Sequence, residues 1–263
     1  MLVPYVLLTD ETNQQPSERA RFFIYGGVFF PAAAMPDLHD LVQAARTEAG
    51  YRRADEFKFD TRSRPEHVSR QQHTAAKRRV LEGCADADLR FIAYLVLHDI
   101  ARNRSLEEHV RFGVNTVLST FQKFLSQEHE SGICLVDRLP YRHGHQSLGE
   151  IFQQGLQMPN NRRYVLDRVL LLGETTQQES FLGSIVDIVL GSFRYCVNDS
   201  RNGRATRDML PPVARMMWSR QVGDTAYVRE YGLLFRPKDV AVPAYQREYE
   251  ELTQRFLEVL QAD

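Results

Sequence analysis

Apolar runs and amphipathic stretches divide the chain into candidate strands and helices. Val3 to Thr9 is almost continuously apolar and ends at Asp10, the pattern of a strand covered on both faces. The polar segment from Glu11 to Arg19, interrupted by a proline, predicts a loop. Phe22 to Phe30 is aromatic and β-branched and predicts a second strand, with Gly26 and Gly27 marking a bulge or a close backbone approach. These two strands are expected to pair. Pro36 and Asp37 then open a helix to about Ala49, whose apolar side is Leu38, Leu41, Val42 and Ala45.

Glu56-Phe57-Lys58-Phe59 alternates polar and apolar, so in an extended chain Glu56 and Lys58 share one face and the phenylalanines the other. A basic helical stretch is expected from Pro65 to Cys84 and a strand from Leu89 to His98. Ser105 and Glu108 form a capping box for a long helix to Glu128, and Ile133 to Val136 is a fourth strand ending at Asp137. Further on the pattern predicts a helix at Leu148 to Leu156, a fifth strand at Tyr164 to Leu172 and a helix at Gln178 to Val197. A helix at Pro212 to Arg220, a short strand at Tyr227 to Phe235 and an amphipathic helix from Pro243 complete the chain. Tyr245, Tyr249, Leu252, Phe256 and Leu260 share one side of that last helix, which would close the core or join two subunits in a homo-oligomer. Strands alternating with helices predict an α/β fold, and two strands ahead of the first helix predict a mixed sheet.

Composition changes this picture little. A chain of 263 residues buries a sizeable core, and one domain is expected, residues 1–198 with residues 199–263 as a strand and helix extension packed on it. No apolar run approaches the roughly 18 residues of a spanning helix. The opening VPYVLLTD lacks a basic leader and a small-residue cleavage site, so it reads as a strand and the expected location is cytoplasmic. Cys84, Cys134 and Cys196 are far apart without a CxxC pair, which signals neither a disulfide framework nor a zinc cluster. The formal net charge of −1 removes the simplest argument for nucleic-acid binding, a strongly basic domain, so any basic footprint must be local. Lys58, Lys77, Lys123 and Lys238 are the only lysines, and among the arginines a modest cluster is Arg138, Arg142, Arg162, Arg163 and Arg168.

Candidate chemistry starts at the strand ends. Asp10 and Asp137 each terminate an apolar strand, and open sheets place their sites at the carboxyl ends of strands. Taken singly, each aspartate reads first as a cap of its own loop, bonding backbone N–H groups. Asp187 adds weight because Ser180, Ser184, Asp187, Gly191 and Arg194 fall on one narrow stripe of an otherwise apolar helix. A carboxylate there needs a cation or a hydrogen-bond donor to offset desolvation, and Arg194 is the structural candidate. Lys58 reads as a surface ion pair with Glu56, worth at most about 1 kcal/mol. The loop after Asp137 reads first as a solvated loop, with Arg138 or Arg142 as secondary candidates for phosphate contact and His143, with His145 two residues on, as a candidate proton shuttle. Glu11, adjacent to Asp10 on a strand, is expected to face away from the site.

Thr9-Asp10-Glu11-Thr12, the glycine-bearing IYGGVFF, Glu56-Phe57-Lys58 and SIVDIVLG, in that order and spacing, resemble the domain of unknown function 3800 family, whose members look ribonuclease H-like. The resemblance spans residues 1 to about 195, with Thr12, Asn13 and Ser184 departing from the family's usual residues. It implies a ribonuclease H-like mixed sheet flanked by helices in which Asp10, Glu56, Asp137 and Asp187 converge on one or two Mg²⁺ or Mn²⁺ ions. A nuclease acting on RNA or DNA is then expected, with Asp10 bridging the metals, water attacking the phosphodiester and Lys58 holding a phosphate oxygen or the attacking water. Two other readings stand beside it. One is a protein that keeps the fold to bind nucleic acid or a protein partner without cutting. The other is a phosphatase of the haloacid dehalogenase type, to which a strand ending in Asp-x-Thr is similar, although Thr12 stands where that motif's second aspartate would be.

Overall fold

The computed structural model describes residues 4–17, 20–139, 144–158, 161–176, 179–199 and 203–261. The elements run β1 (Tyr5–Thr12), β2 (Phe22–Pro31), α1 (Met35–Glu48), α2 (Arg70–Asp86), β3 (Arg90–Leu97), the one-turn α3 (His98–Ala101), α4 (Leu106–Glu128) and β4 (Gly132–Asp137). They continue with α5 (Gly144–Gln154), β5 (Leu156–Gln157), β6 (Arg163–Tyr164), β7 (Val169–Thr175), α6 (Gly183–Asn198), α7 (Arg204–Met216), β8 (Arg220–Val222), β9 (Thr225–Tyr227), β10 (Leu233–Phe235) and α8 (Pro243–Leu260).

Six strands form one sheet in the order β10-β3-β2-β1-β4-β7. β2 runs against both its neighbours, while β1/β4, β4/β7 and β10/β3 are parallel pairs. The expected mixed α/β sheet with its opening hairpin is therefore present. From β1 the chain steps through β2 to β3 on one side and returns to β1's other side with β4, so the strand order reverses between β1 and β4. In open α/β sheets that reversal opens a crevice at the strands' carboxyl ends.

Helices cover both faces. Val6, Leu8, Ile24 and Val28 face a core shared with α1, α2, α6, α7 and α8, while Leu7, Phe23, Tyr25 and Phe29 face α4, including Val114, Phe121 and Phe124. This is the period-two alternation of a strand buried on both sides. Residues after 199 belong to the same layers: β10 pairs with β3, and Tyr249, Leu252 and Phe256 of α8 are buried in the first core. The core-closing role of α8 is thus the one described here.

Glycines let α6 lie close to the sheet. A Cβ at Gly26 would stand 2.7 Å from Leu190 Cδ1, and one at Gly191 would overlap the Phe59 ring. The ladders through Gly26 and Gly27 run without a register break, so the glycines mark close approach and not a bulge.

Several boundaries differ from the sequence pattern. The expected strand Tyr164 to Leu172 is two strands, β6 and β7, because Val169 N–H bonds back to Leu166 C=O and turns the chain between them. The run Tyr227 to Phe235 likewise splits into β9 and β10, with β9 closing a hairpin on β8. Helix α7 starts at Arg204 and carries Pro211 and Pro212 inside it, where a start at Pro212 was expected; burial of Leu210, Val213 and Ala214 holds it. No strand forms at Glu56 to Phe59, yet Phe57 and Phe59 are buried while Glu56 and Lys58 are not, so the alternation survives without a ladder. Arg46 and Lys77 hold this loop instead: Arg46 donates to the carbonyls of Arg52 (2.9 Å) and Asp55 (2.7 Å), and Lys77 Nζ to that of Phe59 (2.7 Å).

Among the described residues, no helix is long and apolar enough to cross a membrane. The three cysteines are free and buried.

Candidate metal centre

Parallel pairing of β1 with β4 carries Thr9 beside Val136, so one step further Asp10 and Asp137 emerge side by side from the carboxyl ends of neighbouring strands. Both point to the face that α6 covers, being in phase with Val6 and Leu8 on β1 and Leu135 on β4. Carboxylate oxygens of Asp10, Glu11 and Asp137 all lie within 4.8 Å of one another. Hard divalent cations hold oxygens at about 2.0–2.6 Å, so one such ion can span oxygens roughly 4 to 5 Å apart. The donor set, all carboxylate oxygen, suits a hard divalent cation better than a soft one.

Electrostatics set this cluster apart. Burial pushes the Asp10 carboxyl well above its usual range, and Asp137, Glu11 and Asp187 raise it further, against one backbone N–H bond from Glu11 at 2.8 Å. Glu11 is pushed up to about 7 by burial and by Asp137, with Gln14 Nε2 donating to it at 2.9 Å. Asp137 is also raised, chiefly by burial, while the Arg138 N–H and the charge of Lys58 oppose the shift. Acids that raise one another in this way favour a cation between them.

Asp187 approaches from α6. It acts on both Asp10 and Asp137, and its Oδ2 accepts a short hydrogen bond from the Phe59 N–H. The carbonyl of the same residue accepts from Lys77, whose ammonium also lies 4.2 Å over the Phe59 ring. Burial lowers the Lys77 pKa to about 8 even though Asp187 and Asp60 raise it. Arg194, the sequence's candidate partner for Asp187, donates instead to Thr12 Oγ1 at 3.1 Å.

Of the remaining predicted residues, Glu56, Lys58 and Arg138 sit around this centre. Glu56 pairs with Lys58 at 3.2 Å on a half-exposed rim and is outside the set of three mutually close acids. Lys58 reaches Asp137 electrostatically and so links Glu56 to the cluster. Arg138 presents its backbone N–H to Asp137 while its side chain is exposed. Arg142 and His143 lie outside the described residues.

Two contributors escaped the sequence. Glu11, expected to face away, joins the cluster: β1 runs on to Thr12 along β2 after its ladder with β4 has ended at Thr9, so nothing on the β4 side keeps the longer glutamate arm from the strand end. Lys77 left a usable signal, being the one lysine on an arginine-rich helix and in line with His73, Leu81 and Cys84, all of them buried.

No family model matches the chain, and neither does any curated protein or solved structure compared with it.

Proposed function

We propose that the chain is a metal-dependent nuclease with a ribonuclease H-like fold, as its resemblance to the domain of unknown function 3800 family implies. The observation that carries this reading is the mutual closeness of Asp10, Glu11 and Asp137 at the point where the strand order reverses, with Asp187 adding its charge. The sheet order, with β2 alone reversed, supports the fold half of the proposal.

Asp10, Glu11 and Asp137 supply the oxygens that hold Mg²⁺ or Mn²⁺, and Asp187 completes the set from the helix side. The ions supply charge stabilisation for the attacking and leaving oxygens of a phosphodiester. Lys58 holds a phosphate oxygen, Glu56 keeps that lysine in place, and Arg138 meets the strand's backbone from the solvent side. Lys77 positions Asp187 through the Phe59 backbone. The second reading is a module that keeps the fold to bind nucleic acid or a protein partner without cutting; the formal net charge of −1 leaves any nucleic-acid footprint to a local basic patch.

Incubation with labelled single-stranded, duplex and hybrid nucleic acids separates the two. The nuclease cuts with Mg²⁺ or Mn²⁺, stops on chelation, and is disabled by Asp10→Asn and by Asp187→Asn. Cleavage that survives both substitutions removes the mechanism, and binding without cleavage by the wild type selects the second reading.

A further inference from the structure

A cleft of about 250 Å³ opens directly beside the acids and counts Asp10 and Asp137 among its walls. Its floor is Leu8 and Leu135, side by side on β1 and β4, and its helical wall is Leu182 and Val186 at the start of α6. Among the described residues lining it there is no lysine, arginine or histidine; the cations near the acids, Lys58 and Arg138, stand outside. A phosphate inside this cleft would meet the carboxylates of Asp10, Asp137 and Glu179 with no side-chain cation to offset them. An uncharged group with apolar faces suits it.

Size narrows the choice. Pockets for drug-sized ligands run to roughly 300–1,000 Å³, so this one takes a single ring system. A sheet on one side and a helix on the other suit a flat ring. Beyond Asp10 and Asp137, the lining offers a fixed acceptor in Glu179, whose Oε2 accepts from Thr175 Oγ1 and from the Thr176 N–H, each at 3.0 Å. A carboxylate fixed in that way can accept from the amino edge of a heterocycle. Apolar faces, a polar edge and a phosphate-handling centre next door are the complement of one nucleotide.

We propose that this cleft takes one unstacked nucleobase next to the scissile phosphate, which makes the substrate a single strand or a frayed strand end. The inference rests on the phosphodiester reading for its biological sense, but base binding can be measured without turnover. A base held in a regular duplex is stacked and paired and cannot enter a one-ring slot; a single-stranded base can turn into it.

The test is the affinity of the full-length protein, in Mg²⁺, for adenosine monophosphate against ribose 5-phosphate, which has the phosphate and sugar without the base. The nucleotide is expected to bind roughly tenfold tighter or more, the order that burying a ring's apolar faces against Leu8, Leu135, Leu182 and Val186 supplies. Leu135→Trp, which fills the slot from a half-exposed floor position, brings the ratio close to one. Val186→Phe is the second filler, and circular dichroism confirms the fold of each. Equal affinities in the wild type, or an unchanged ratio in folded fillers, overturn the proposal. A labelled strand should also be cut at least about tenfold faster alone than when paired, and equal rates overturn it too. If nothing is cut in either form, the nuclease reading fails, and the affinity ratio still decides whether the cleft takes a base.

Discussion

Two groups of carboxylates flank helix α6 and meet opposite fates. Asp60 is pulled down to about 2, because Arg62, two residues along, donates to it through its guanidinium at 2.8 Å and through its backbone N–H at 2.9 Å. Asp10, Glu11 and Asp137 are all pushed up, by burial and by one another. In the first group the chain supplies a cation beside the acid. In the second it brings acid to acid at the ends of two strands. An arrangement that costs folding free energy and sits in a crevice is the pattern of a working site.

The largest break in that contrast comes from Asp10→Asn. It removes a charge that the neighbouring acids oppose, so without divalent metal the variant is expected to be more stable by about 1–2 kcal/mol in urea unfolding. Cleavage falls at least about 100-fold, since the ion's charge stabilisation is worth several kcal/mol. Opposite signs for stability and activity are the signature to look for. A loss of both would make Asp10 an ordinary structural residue.

Lys77→Met tests the scaffold behind Asp187. It leaves the Phe59 carbonyl without its buried ammonium, and Mn²⁺ affinity is expected to fall roughly 10- to 100-fold, as when the partner of a ligating group is removed. Unchanged Mn²⁺ affinity in a folded Lys77→Met would confine Lys77 to packing.

Solution pH sharpens the contrast next. Glu11 has its folded pKa at about 7, above its ordinary 4.5, so the folded state holds the proton more tightly. That contribution is full below about 4.5 and is lost as pH climbs to about 7. With chelator present, the melting temperature should decline across this window, and Glu11→Gln should flatten the decline. Added Mg²⁺ or Mn²⁺ should raise the melting temperature most at the upper end, where the acids are ionised. A wild-type profile that rises across the window contradicts the raised pKa.

The smallest effect belongs to the paired group. Asp60 lies below its ordinary 3.8, so its contribution is present above that value and lost as pH falls toward 2. Its partner Arg62 is 91% exposed, so Arg62→Ala should leave the melting temperature at neutral pH nearly unchanged.

How much of this was legible in the sequence follows from what each signal depends on. The strands ending at Asp10 and Asp137 were readable because an uninterrupted apolar run needs cover on both faces. The capping box at Ser105 and Glu108 located α4 to the residue, since both reciprocal bonds form. Gly26 and Gly191 were visible as glycines, but their use, bringing α6 onto β2 and Phe59 onto α6, depends on contacts distant in sequence. Glu11 was misjudged because its ladder with β2 fixes where its Cβ leaves the strand but not where a long carboxylate arm ends once the β4 ladder has stopped at Thr9. The split between β6 and β7 was invisible for a related reason: Leu166 and Val169 are both buried across the turn, so the apolar pattern continues while the backbone changes direction. Arg194 was matched to Asp187 on helical spacing, yet it turns to Thr12 on β1, a contact that spacing within one helix cannot show.

The most direct measurement is a Mn²⁺ titration followed by the paramagnetic resonance of the free ion. Wild-type protein is expected to remove one or two equivalents of Mn²⁺ per chain from the free signal, with Mg²⁺ competing, and Asp10→Asn to remove far less. A free-ion signal that rises in the presence of wild type as it does in buffer alone, or equal uptake by wild type and Asp10→Asn, would contradict a metal centre at the ends of β1 and β4.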